Sequence, residues 1–79
     1  DMLYKLRIDV IGHVGADIGI IEVKPNAGAS AIGQIQSYKS LYERDEEKTG
    51  RINMVIITDT LKPNMFFLCT QAGIKLIVV

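Results

Sequence analysis

The stretch Arg7–Lys24, RIDVIGHVGADIGIIEVK, decides the fold. It reads as two apolar strands around a glycine turn, with Tyr4–Ile11 as the first strand, His13–Asp17 as turn material and Ile18–Lys24 as the second strand. The strands carry charges that a short chain has little reason to place there: Asp9 in the first, Glu22 and Lys24 in the second. A two-residue turn at Gly15 and Ala16 pairs positions whose numbers sum to 31 (15 + 16), which sets Asp9 opposite Glu22 on one face of the sheet. Lys24 shares that face, being two residues beyond Glu22. Opposed carboxylates destabilise a strand pair. A divalent cation between them offsets the repulsion, since Mg²⁺ is commonly held by one or two carboxylates plus water and phosphate. The competing reading is a solvent-facing ion-pair ladder of Arg7, Asp9, Glu22 and Lys24. Ile11 and Ile20 fall on the same face, so that face is not simply polar.

Outward from the hairpin, PNAG (Pro25–Gly28) ends the second strand. Ser30 is the expected cap of a helix running to about Arg44. ERDEEKTGR then reads as a solvated loop. The nearly continuous apolar run Ile52–Thr58 predicts a buried central strand. After the loop DTLKP, Asn64–Ala72 predicts a short helix stopped by Gly73, and Ile74–Val79 a last strand. The order is ββαβαβ, an α/β architecture with a mixed β-sheet and flanking helices.

The chain has 79 residues, which bounds it to one small domain, 1–79, with a marginal core. Cys69 is the single cysteine, so no internal disulfide forms, and a reducing, intracellular (cytoplasmic) setting is expected. No run approaches the roughly 18–20 apolar residues of a membrane helix, so no membrane partner is expected. Nine basic and nine acidic residues cancel, which argues against a generally basic nucleic-acid coat but leaves room for a local cationic site around a metal. The start at Asp1 and the bare apolar ending IKLIVV predict a truncated or processed domain, and the ending is also suited to pairing across a homodimer or against further domains of a parent chain.

The helix adds a second polar set. Gln34 and Tyr38 are four residues apart and share a face, onto which a helical wheel also puts Ala31, Ile35, Leu41 and Tyr42. A partly buried glutamine needs partners, which a carboxylate or metal-bound water from the hairpin would supply; an edge glutamine reaching solvent is the alternative. Tyr38 fits either packing or a phosphate contact.

The sequence ID at Ile8–Asp9, EVK at Glu22–Lys24, and GQIQSY with its Q-x-x-x-Y spacing resemble the PD-(D/E)XK nuclease superfamily, in particular its RecB-like branch. The string RIDVIG…IIEVK…AIGQIQSY also resembles the nuclease domain of archaeal-type mismatch-specific endonucleases, over roughly residues 5 to 45. E-x-K alone is common; the ordered set is much more specific. The resemblance implies a restriction-endonuclease-like core and a metal-dependent deoxyribonuclease, of a kind used in DNA repair among other processes. It implies that Asp9, Glu22 and the Val23 carbonyl bind Mg²⁺ or Mn²⁺, and that Lys24 orients the attacking water or stabilises charge on the phosphate. Gln34 would support the metal shell, and Tyr38 and Lys24 would contact DNA. A further family acid on a helix before the first strand has no counterpart in DMLYKL, where Asp1 lies too close to the strand.

That departure motivates the alternative of a non-catalytic module of the same fold, binding DNA or a partner protein. Other residues carry simpler readings. His13 is expected as an exposed turn histidine, Asp17 as a turn former and Cys69 as a buried small side chain. Met65, Phe66, Phe67 and Leu68 are expected in the core or an interface. Gly28 and Gly33 lack the G-K-[ST] ending of a phosphate loop.

Overall fold

A computed structural model describes residues 10–15, 17–45 and 50–79. The expected order is present: β1 (Val10–Val14), β2 (Asp17–Val23), α1 (Ala29–Asp45), β3 (Ile52–Thr58), α2 (Met65–Ala72) and β4 (Ile74–Val78). The four strands form one mixed sheet in the order β1-β2-β3-β4. β1 and β2 are antiparallel, whereas β2–β3 and β3–β4 are parallel. Each parallel connection passes through a helix, as strands running the same way require.

The hairpin register is the one the two-residue turn demands. All five described pairs, from Val10↔Ile21 to Val14↔Asp17, sum to 31. Gly15 takes φ 61, the left-handed conformation that glycine adopts without penalty. Two boundaries shift from the sequence reading. His13 is not in the turn but in β1, opposite Ile18, and Asp17 opens β2, because the ladder closes right up to the two turn residues. The earlier part of the first expected strand, with Asp9, lies outside the described residues.

One face of the sheet carries the core. Alternation along β2 buries Ile18, Ile20 and Glu22, and along β3 it buries Met54, Ile56 and Thr58. The registers align these into cross-strand rows, Ile11–Ile20–Met54–Ile74 and then Glu22–Ile56–Leu76. From α1, Ala31, Ile35 and Tyr38 complete the cluster, and α2 adds Met65 and Cys69. Ile20, Ile35 and Ile56 are wholly enclosed, each contributing about 1.5–3 kcal/mol by burial. The opposite face is apolar too, but Ile21, Val55, Ile57 and Ile77 are only partly buried there and Val23 is exposed. The described helices therefore pack on a single face.

Local chemistry sets the helix ends. α1 begins at Ala29, with the Ala31 N–H bonded to the Gly28 carbonyl at 3.0 Å, so Ser30 lies inside the first turn rather than capping it. Leu41 is 44% exposed and leaves the buried stripe that the helical wheel assigned to it, whereas Tyr42 packs against the core. α1 runs to Asp45, so the charged segment after Arg44 starts as helix; residues 46–49 lie outside the described ones. α2 stops at Gly73, which takes φ 71 and donates to the Cys69 and Thr70 carbonyls. Among the described residues no helix is long and apolar enough to cross a membrane.

Candidate functional site

The buried face contains one acidic side chain among the described residues. Glu22 is the sixth of seven residues in β2 and is 5% exposed, between Ile20 and the end of the strand. Its β3 neighbour is Ile56, and the next in the row is Leu76. Placing a carboxylate in such a row costs several kcal/mol unless its charge is balanced. Its Oε2 is enclosed and receives no hydrogen bond among the described residues, although the side chain does interact with its surroundings. A solvent-facing ion-pair ladder is therefore not what the hairpin builds around Glu22, because helices cover the face it occupies.

Lys24 follows two residues later, at the point where β2 has ended, and is partly buried. Its backbone N–H still bonds the Ile57 carbonyl at 2.9 Å, so its position relative to β3 is fixed by the ladder. From α1, Gln34 is partly buried and Tyr38 is 3% exposed inside the core cluster. Tyr38 thus supplies packing surface, whatever its hydroxyl adds; Gln34 lies at the margin of the same layer. Val23 points to the other face and is 52% exposed. Asp9 and Asp1 are outside the described residues, and among those described no cluster of three or more His, Cys, Asp or Glu side chains could hold a metal ion.

The two expected loops, Pro25–Gly28 and the one that follows β3, hold the end of this site together through hydrogen bonds that no local pattern announces. Asn26, in a left-handed conformation with φ 51, donates its N–H to Asp59 Oδ1 at 2.9 Å. The Thr60 hydroxyl lies 2.9 Å from Asn26 Oδ1 and 3.0 Å from Asp59 Oδ1, shared between them. Buried Thr58 accepts the Ala27 N–H at 3.0 Å. The Asn26 N–H, followed by the Thr60 hydroxyl, holds the Asp59 carboxyl below its usual value. These bonds tie the segment after β2 to the segment after β3, and so set where α1 starts relative to Glu22 and Lys24. A shallow cleft of about 100 Å³ opens at this end of the sheet, lined by Val23, Lys24, Pro25, Ile57, Thr58, Asp59 and Val79; Glu22 is not on its walls, and Val23 and Ile57 belong to the opposite sheet face.

At the other end of β2, Asp17 Oδ1 accepts the Arg51 N–H at 2.9 Å, and the Ile18 N–H reaches the Arg51 carbonyl at 2.8 Å. Asp17 therefore aligns the start of β3 with the hairpin rather than forming the turn. Proximity in space, not spacing in sequence, creates this pair, and no local signal announces it. Cys69 is 1% exposed and burial pushes its thiol up, as suits a core side chain.

Compared with protein-family models, with curated proteins and with solved structures, the chain has no significant match.

Proposed function

We propose that this chain is a metal-dependent nuclease domain of the PD-(D/E)XK type, with a restriction-endonuclease-like core, hydrolysing phosphodiester bonds in DNA. The observation that carries the reading is Glu22: a carboxylate buried to 5% exposure in an apolar row, one same-face step before a lysine at the end of a strand. A carboxylate that served only solubility would face water. The hairpin register, which sums to 31 at every described pair, is the register on which the Asp9–Glu22 pairing was inferred.

The residues fit a cation in kind. Glu22 offers a buried carboxylate oxygen, Val23 a backbone carbonyl and Asp9 a second carboxylate, all hard oxygen donors suited to Mg²⁺ or Mn²⁺. Bound there, the ion would supply charge neutralisation at the phosphate and an acidified water. The chain's own part is positional. The fold keeps bulk water from Glu22, which fixes the position of its carboxyl group. Lys24, anchored through the Ile57 carbonyl, holds an ammonium where negative charge grows on the phosphoryl oxygens or where a water needs orienting. Gln34, partly buried on α1, would hydrogen-bond groups around the carboxylate. Tyr38 keeps α1 seated on the sheet.

The deciding experiment is cleavage of labelled single- and double-stranded DNA with Mn²⁺, comparing the chain with Glu22→Gln and Lys24→Ala. Loss of cleavage in both, with unchanged circular dichroism and melting cooperativity, is expected. Cleavage by Glu22→Gln at the parent rate would end the proposal.

A further inference from the structure

α2 turns Met65 and Cys69 into the core and leaves its two aromatic residues outside, with Phe66 68% and Phe67 61% exposed. Leu61, in the loop before them, is 57% exposed. Fully burying a phenylalanine is worth about 1.5–3 kcal/mol, so two adjacent rings in water in so small a domain mark a contact surface.

Their place in the fold says what they contact. β2 and β3 are parallel, and both end beside Lys24 and Thr58. The chain leaves β3 there, crosses residues 59–64 and starts α2 at Met65, so the rings stand at the same end of the sheet as Glu22 and Lys24. Lys62 bridges the two regions, since a Cβ added at Gly28, just before α1, would meet its Nζ at 3.5 Å. The Asn26, Asp59 and Thr60 bonds hold those segments in register. All nine acidic residues lie at or before Asp59, and from Thr60 to Val79 the chain carries Lys62 and Lys75 and no acid. Asp59 is the acid nearest that segment, and its Oδ1 accepts the Asn26 N–H.

Aromatic rings exposed four and five residues after a lysine, on a segment without acids, complement a polyanion that presents flat apolar faces. Single-stranded nucleic acid is that ligand: its unpaired bases offer π-faces, which a duplex keeps stacked inside. Leu61 and Leu68 are exposed on either side of the rings, and exposed Asn64, Thr70 and Gln71 interrupt the patch. We propose that Phe66 and Phe67 stack bases of a single strand while Lys62 contacts its phosphate, leading the strand toward Glu22 and Lys24. What happens to the strand at that end rests on the nuclease reading; the binding does not.

The test is fluorescence anisotropy of a labelled oligo-dT and of a duplex of the same length, in EDTA so that no cleavage occurs. Single-strand affinity is expected to fall roughly fivefold to a hundredfold for each ring removed by Phe66→Ala or Phe67→Ala. Lys62→Ala is expected to flatten the salt dependence by about one phosphate contact. The rings are exposed, so these variants should melt like the parent, which the same samples would verify. Unchanged oligo-dT affinity in the double phenylalanine variant, or no binding by the parent chain, would overturn the inference and leave the rings as a protein contact. Ring-dependent binding without cleavage in Mn²⁺ would uphold it while removing the nuclease reading. Cleavage that ignores the rings would do the reverse.

Discussion

Replacing Glu22 by methionine should abolish the site at little cost to the fold. Met is similar in volume to Glu, unbranched, and able to fill the space between Ile20, Ile56 and Leu76. Taking a carboxyl group out of an apolar row removes a dehydration cost of several kcal/mol. The substitution also forfeits the interaction that Glu22 makes, so the two are expected to offset each other to within about 1 kcal/mol. For a domain of this size each kcal/mol moves the melting midpoint by about 4–8 °C, so the variant should melt within about 8 °C of the parent. Shortening Ile56 to alanine, in the same row, should cost about 2–5 kcal/mol and serves as the packing control. Thermal and urea unfolding in EDTA measure all three proteins. Repeating them with Mn²⁺ adds a second reading. At a hundred times the dissociation constant, metal should stabilise the parent by about 2.7 kcal/mol and leave Glu22→Met unmoved. If Glu22→Met is less stable than the parent by more than about 1 kcal/mol without metal, the carboxylate is a structural member of the core. The functional explanation of its burial then fails.

Three further outcomes are expected. Thr58→Val removes the acceptor of the enclosed Ala27 N–H and should cost about 1–3 kcal/mol in urea unfolding, more than the near-isosteric change in shape alone would. Asp59 has its folded-state pKa held below the ordinary 3.8 by hydrogen bonds, so it stabilises the fold above the unfolded value and that contribution is lost as pH falls through the folded one. Melting midpoints measured downward from about pH 4 should therefore fall less steeply for Asp59→Asn than for the parent. Cys69 should react with a thiol reagent only as the fold opens, so its labelling rate should follow denaturant concentration; fast labelling in buffer would contradict its 1% exposure.

Several elements were legible in the residues themselves. Ile52–Thr58 is β3 as expected, because a strand buried at the centre of a parallel sheet must be apolar along nearly its whole length. Gly73 ends α2 because glycine alone enters the left-handed conformation there without strain. The hairpin register followed from a two-residue turn, since a shift of one residue would have put Ile18 and Ile20 on the wrong face. Local rules misjudged Ser30, a good capping residue that falls inside the first turn, and Leu41, which the wheel put inward.

By itself, then, the sequence determined which segments become strands and helices, their order, and which residues share a face with Glu22. Those properties depend on neighbours within a few positions, through backbone sterics and side-chain period. It did not determine which face the helices would cover. That depended on how α1 and α2 cross the sheet, and it is what makes Glu22 a buried carboxylate rather than a rung of a surface ladder. The same packing put Phe66 and Phe67 in solvent and paired Asn26 with Asp59, Ala27 with Thr58 and Asp17 with Arg51. Each of those partners lies more than thirty residues away, where burial and hydrogen bonding are set by the closed chain and no local pattern records them.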